Sequence, residues 1–419
     1  MLKSYKIILG GLFTFLPIFF TFSQPDTLKI SKKEKIDQII FNAIRQKAFP
    51  VAVLFVQQDD SVLIHKAYGH HTYDSLRKTD TTHLYDLASI TKIAASTLAL
   101  MKLYDDGCIE LDAPIRNYVS GFGWNKRGET TLRQSLSHQA GWKSWIPYYK
   151  KMRKKNGKWK RRFFDDERSE KYPYRISHDL YLSQNNYRYI KRRIKRSEFD
   201  PEKGYQYSGL IFYLIPEIVE NLTHMDFRDF LNEEFYDPLG LETMDFKPSQ
   251  SYDPGEIVPT EIDTFFRQEP IHGVVHDEGA ILMDGISGNA GLFSKASDLA
   301  KLMELFLASG RMDTTQYLRP QTVRLFTSSQ YPDNRRALGF DKPLLEYDSV
   351  RSSVAEAASF GSFGHTGYTG TMVWADPEYD LIFVFLSNRV YPSRENKKLY
   401  ELNIRPEIHK LVYEIIQNP

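Results

Sequence analysis

Apolar side chains at Ile36, Ile39, Ile40, Ala43 and Ile44 recur with the spacing of one helix face, which predicts an amphipathic helix over 31–47. Residues 51–57 and 61–68 then read as two strands across the tight turn Asp59-Asp60. The same arrangement returns near the other end. There 371–375 and 381–386 flank Asp376-Pro377-Glu378-Tyr379-Asp380, and 404–416 reads as a last helix. Short links make antiparallel neighbours, and helices at both ends can cover one sheet face. The pattern predicts an α/β (α+β) fold, an antiparallel sheet flanked by the terminal helices. Residues 24–118 and 264–419 carry this sheet core. The aromatic- and charge-rich stretch 119–263 between them predicts an inserted, mostly helical lobe.

One apolar run carries more than packing. Ile93, Ala94, Ala95, Leu98, Ala99, Leu100 and Leu103 describe a largely buried helix directly after Ser89-Ile90-Thr91-Lys92. A serine and a lysine three apart share a helix face. Serine is a weak nucleophile until a base takes its proton, and a desolvated lysine can be that base. Free N–H groups at the helix start suit negative charge. Ser75-Leu76-Arg77-Lys78 has the same spacing but sits among Asp74, Thr79, Asp80, Thr81 and Thr82, with no apolar face to dry a lysine. It reads as a polar loop. Ser89 is the candidate nucleophile.

Length and charge narrow the setting. A chain of 419 residues with 14% aromatics and a net charge of +2 fits one large domain or a core domain with a sizeable insertion and argues against nucleic acid as partner. Lys3 and Lys6 precede an apolar stretch over 7–22 that ends at Ser23, the pattern of a signal peptide over 1–23. This predicts export to the periplasm or the exterior. An uncleaved anchor, the one membrane contact foreseen, would need roughly 20 residues without Gly10, Gly11 and Pro17. Cys108, the single cysteine, permits no internal disulfide and reads as buried filler. The basic run over 150–162 reads as a solvated loop balanced by Asp165, Asp166 and Glu167, with a patch for an anionic polymer as the alternative.

A serine–lysine pair also needs a proton shuttle for the leaving group and donors for the oxyanion. Tyr207, in Tyr205-Gln206-Tyr207-Ser208-Gly209 ahead of an apolar helix, is either that shuttle or a core tyrosine. Gly361 to Gly370, with His365-Thr366-Gly367-Tyr368 inside, runs straight into the strand at 371 and lets an edge backbone approach a ligand. Other candidates are weaker. His272 and His276 are four apart, but Gly273 and two valines oppose the helix a zinc pair would need. Gly285-Ile286-Ser287-Gly288 lacks the last glycine of a nucleophile elbow. His138 reads as a loop brace.

Ser-x-x-Lys, Tyr-Ser-x and a His-Thr-Gly strand, in that order, resemble the penicillin-recognising serine hydrolases. The nearest branch is the class C β-lactamase-like group, which includes D-Ala-D-Ala carboxypeptidases, D-aminopeptidases and esterases. Leu136-Ser137-His138-Gln139-Ala140-Gly141, Gly288-Asn289-Ala290-Gly291-Leu292-Phe293-Ser294 and Asn388-Arg389-Val390-Tyr391-Pro392 extend the resemblance over nearly all of the chain after 1–23. Val275-His276-Asp277-Glu278 resembles a loop motif at the cleft edge of some relatives. The resemblance implies a β-lactamase/transpeptidase-like fold and acyl-enzyme chemistry on Ser89, with no cofactor or metal. Lys92 would help deprotonate Ser89, and Tyr207 would pass protons to the leaving group. His365 would orient a substrate carboxylate or assist Tyr207, with Thr366 and Gly367 beside it. The amides of Ser89 and Tyr368 would hold the oxyanion. Small-molecule or peptide substrates follow: cell-wall-derived peptides or D-amino-acid amides, with a carboxylesterase or a non-catalytic binder as alternatives. Gly209 departs from the asparagine or aspartate of relatives. Ser393 and Asn396, with Arg394 out of register, replace residues near a β-lactam carboxylate, so β-lactam hydrolysis is not expected.

Overall fold

The continuous apolar run of residues 51–56 is explained by a sheet buried on both faces. A computed structural model describes residues 30–123 and 125–417. The leader predicted over 1–23 lies outside them. The elements that position the site are α1 (Lys32–Arg45), β1 (Val51–Gln58), β2 (Ser61–Gly69), α2 (Leu98–Asp105), α3 (Ala296–Leu307), β3 (Phe363–Thr366), β4 (Met372–Asp376), β5 (Leu381–Ser387) and α4 (Ile404–Gln417).

The strands form one antiparallel sheet in the order β3-β4-β5-β1-β2. The two hairpins read from the sequence meet along β1 and β5, where Phe55 pairs with Val384 and Leu54 with Phe385. Alternate residues then serve different cores. Val51, Val53 and Phe55 join Val373, Ala375, Ile382 and Val384 against α2, α3 and the apolar run after Ser89. Ala52, Leu54 and Val56 join Met372, Trp374 and Phe383 against Ile36 and Ile40 of α1 and Ile408 and Val412 of α4. The terminal helices cover the second face together, as their amphipathic patterns require.

Residues 119–263 contain helices at Leu132–Leu136, Asn186–Lys195, Ile215–Thr223 and Phe227–Leu231. They also contain a three-stranded antiparallel sheet made of Phe164–Asp165, Leu180–Leu182 and Tyr174–Ser177, which no periodicity in the sequence signalled. Its strands are only two to four residues long, too short to show alternation.

Two readings are corrected. Cys108 is exposed: it lies in the turn after α2, and Ile109 takes the inward position instead. The glycine-rich segment before 371 is itself partly a strand, β3, at the sheet edge beside β4. Gly364 conceals it, because a Cβ there would stand 2.1 Å from the Val373 carbonyl oxygen across the pair. The basic run is a largely exposed loop, in which Arg153 lies 3.9 Å from the Trp159 ring centroid. Among the described residues no helix is long and apolar enough to cross a membrane.

Candidate active site

Ser89 sits in a turn rather than in a regular helix. Residues Ala88–Ile90 form a 3-10 turn, and Lys92–Thr97 then widen into a π-helical segment that leads into α2. Such widened turns recur at functional sites. Ala88, just before the serine, has φ +47°, a left-handed conformation uncommon for a residue with a side chain. Its amide donates to Asp86 Oδ1 at 2.8 Å, and Asp86 Oδ2 accepts from His276 N at 2.7 Å. Burial pushes the Asp86 carboxyl above its ordinary range. Thr369 Oγ1 donates to the Asp86 carbonyl at 2.8 Å, and Thr371 Oγ1 to the Leu87 carbonyl at 3.2 Å. The turn is therefore fastened to the link between β3 and β4. Gly367 permits this approach, since a Cβ there would lie 2.5 Å from the Leu87 carbonyl oxygen.

Lys92 Nζ donates to Ser89 Oγ at 2.8 Å and to the Asn289 carbonyl at 2.8 Å. The lysine is 3% exposed, and its neighbours Ile93, Ala94 and Ala95 are fully buried. The competing tetrad at Ser75 is exposed throughout. The segment 288–292 clamps this helix: Ser96 Oγ donates to the Gly288 carbonyl, and Leu292 N to Thr91 Oγ1. The 288–294 motif is thus a buttress that aims Lys92.

Tyr207 stands beside the dyad, with Lys92 Nζ 5.9 Å from its ring centroid. His138 packs on it at 4.5 Å between centroids. His138 is a brace, as read: its Nδ1 accepts from Ser208 N at 3.2 Å and its carbonyl from Gln206 N at 2.9 Å. His365 lies 6.3 Å from Tyr207 and is 3% exposed. Its Nδ1 is 2.8 Å from the Thr366 carbonyl, so that nitrogen carries the proton. Burial, reinforced by Arg336 and Lys92, holds its pKa well below the ordinary range. The ring is uncharged near neutral pH and cannot orient a carboxylate by charge. A second cation besides Lys92 faces Tyr207: Arg336, with Cζ 5.2 Å from the ring centroid and Nε donating to Tyr205 Oη at 3.2 Å. Nothing in the sequence singled out Arg336, which sits in a polar loop outside every motif.

A cavity of about 400 Å³ is lined by Ser89, Lys92, Tyr207 and Tyr368 on the reactive side. Trp145, Asp277, Glu278 and Arg394 also line it. His365, Thr366 and Gly367 do not; they lie behind it along β3 and its turn. The amides of Ser89 and Tyr368 have no protein acceptor among the described residues, so both are available to an oxyanion. Arg389 stacks on Tyr368 with Cζ 4.5 Å from the ring centroid, which gives the 388–392 motif its role. Arg394 reaches the cavity despite its register, but Glu261 and Glu278 engage its guanidinium. His272 and His276 face different partners, Ile257 O and Glu261, and among the described residues no group could hold a metal ion. Ser287 is fully buried and donates to Asn289 Oδ1.

The buried histidines have a consequence for stability. Burial lowers the pKa values of His138 and His365 well below 6.5 and that of His409, on α4, to about 3. A histidine whose folded pKa is depressed stabilises the fold above its unfolded pKa and withdraws that stability as pH falls below it. Each should remove about 1 kcal/mol per pH unit below about pH 6.5. The thermal midpoint is expected to drop steadily between about pH 6.5 and 5. His409→Asn, which keeps an acceptor for Ala355 N, should flatten that slope, and an unchanged slope would clear His409 of any part in it.

The profile of the Beta-lactamase family matches residues 36–404. A provisionally named D-alanyl-D-alanine carboxypeptidase of Escherichia coli (strain K12) is 30% identical over 390 residues, covering 84% of this chain and 82% of that protein. An N-acetylmuramyl-L-alanine amidase of Bacillus subtilis (strain 168) is 30% identical over 407 residues, covering 90% of this chain and 86% of that protein. Among solved structures, the octameric penicillin-binding protein homologue from Pyrococcus abyssi superposes with a TM-score of 0.63 at 17% identity. It covers 91% of this chain and 77% of that one. The likeness to that structure establishes the fold.

Proposed function

This chain belongs to the Beta-lactamase family, whose fold it has, and on that premise we propose that it is an exported serine hydrolase working through an acyl-enzyme on Ser89. One observation carries the reading: Lys92 Nζ lies 2.8 Å from Ser89 Oγ at the wall of a cavity wide enough for a peptide fragment. Lys92 takes the hydroxyl proton as Oγ attacks the substrate carbonyl. The amides of Ser89 and Tyr368 receive the oxyanion, each contributing about 3 kcal/mol to the transition state. Tyr207 hands a proton to the departing amine or alcohol, and water then releases the acid from Ser89 by the reverse path.

Cell-wall-derived peptides or D-amino-acid amides are the substrates this reading favours. The names of the two relatives both describe hydrolysis of an amide involving alanine. The leader pattern over 1–23 supports export. A fluorescent phosphonate should label the wild-type protein at Ser89, identified by mass spectrometry of the modified peptide. A protein that takes no label would be a ligand-binding member of the fold.

Gly209 favours a second reading, an esterase. A Cβ at 209 would stand 4.0 Å from Lys92 Cε, so the side chain that relatives carry would enter the cavity beside the dyad. Without it, one hydrogen bond to a substrate amide is missing. Gly209→Asn is expected to raise turnover of D-alanyl p-nitroanilide relative to p-nitrophenyl butyrate by about tenfold, the worth of one such bond. Turnover of the ester alone in both proteins would remove the peptidase assignment.

A further inference from the structure

Charge is unevenly spread along this chain. The whole sequence holds 55 lysines and arginines against 53 aspartates and glutamates, but residues 150–196 hold 18 of the first kind and five of the second. Everything outside that stretch therefore carries 37 against 48. Among the described residues only Lys191 of the 18 has a carboxylate within 4 Å, that of Glu217. Asp165, Asp166 and Glu167, which the sequence offers as a balance for 150–162, form no ion pair with any of them.

Folding gathers this charge on the inserted lobe. Phe163, just after the basic run, meets Tyr189 of the helix Asn186–Lys195 at 4.6 Å between ring centroids. The Lys171 carbonyl accepts from Gln184 N at 3.1 Å, which folds the intervening segment back toward the start of that helix. Ile190 and Ile194 are buried and turn the apolar side of the helix inward. Arg188, Arg192 and Arg196 lie exposed at four-residue steps, about 6 Å apart along the axis. Like charges at that spacing weaken a helix, and no acidic residue within this one relieves them. Lys154, Lys155 and Lys158 are exposed in the loop. The same loop reaches toward the cavity. Arg153 Nη2 donates to the Phe265 carbonyl at 2.9 Å, and the Phe265 ring centroid is 4.7 Å from Cζ of Arg394 in the cavity wall.

A row of guanidinium forks suits a chain of phosphates better than a single anion. None of the exposed large apolar or aromatic side chains falls within 150–196. The surface thus has nothing to enter a bilayer's headgroup layer and nothing on which nucleic-acid bases could stack.

We propose that this face of the lobe binds a linear polyol-phosphate polymer, a phosphodiester chain without bases, and holds the cavity beside it. The test is the affinity of the full chain for fluorescently labelled poly(glycerol phosphate), measured by anisotropy across a salt series. Binding should weaken with a log–log salt slope of about 4 or steeper, from the six named side chains at about 0.7 each. Arg188→Gln, Arg192→Gln and Arg196→Gln combined should reduce that slope by about 2 and lower affinity about tenfold or more in low salt. Lys154→Gln, Lys155→Gln and Lys158→Gln combined should reduce it by a similar amount. Glutamine is a good helix former and removes the like-charge repulsion, so the thermal midpoint of the arginine variant should not fall. Oligo(dT) of equal charge should bind no more tightly than the polymer, and phosphatidylglycerol vesicles more weakly. No binding of the polymer in low salt, a slope unchanged in either variant, or tighter binding of oligo(dT) or of the vesicles would overturn the proposal.

Discussion

Ser89→Ala is expected to abolish both phosphonate labelling and turnover of any ester or amide substrate, by about 10⁴-fold or more, while the protein stays folded. The structure explains both halves of that result. The hydroxyl is the one nucleophilic atom within hydrogen-bond distance of Lys92 Nζ among the described residues. Removing it leaves the turn intact, because the turn is held by the Ala88 amide on Asp86 and by Thr369 and Thr371 on the backbone carbonyls of 86 and 87. None of those bonds uses the serine side chain. Ser89 is half-buried, so loss of one oxygen makes only a small cavity. A thermal midpoint close to wild type, with no label and no turnover, is the expected combination. Turnover near wild type would mean that another group is the nucleophile. Ser287 is the nearest motif-like alternative, and it is closed off in the core.

Lys92→Gln should be nearly as damaging to the chemistry, with a loss of about 10³-fold or more in labelling rate. Glutamine can still donate to the Asn289 carbonyl, the contact that ties this helix to the 288–292 segment. It cannot take a proton from Ser89. The variant therefore separates position from proton transfer. The buttress from Ser96 to Gly288 and from Leu292 to Thr91 remains, so the fold should persist. Circular dichroism and the thermal midpoint report the fold, and the labelling rate reports the base. A variant that labels at the wild-type rate would show that Ser89 is activated by something other than Lys92, and Tyr207 would be the next residue to test.

Much of this arrangement was legible in the residue order. The hairpins over 51–68 and 371–386 were readable because a strand pair joined by a short turn is a local event. The dyad was readable because burial of the helix after Ser89 is written in its own apolar run, whereas the Ser75 tetrad lacks one. Cys108 was misread since a single apolar residue at a helix exit has no periodicity to place it. β3 was hidden by its glycines, which pair closely with β4 but carry no side-chain pattern. The second cation at Tyr207, beside Lys92, was out of reach. Arg336 arrives from a loop whose position is set by Asp341, itself paired to Gly364 on β3.

The linear order alone determined the terminal helices, the two long hairpins and the serine–lysine pair, since periodicity, turns and the three-residue serine–lysine spacing act over a few residues. Only the tertiary structure decided which charges stay available. Arg394 stands 133 residues from the Glu261 that engages it, and His365 is neutral because segments far along the chain exclude water from its ring. Desolvation and charge pairing depend on neighbours brought together by packing, and no local pattern contains them.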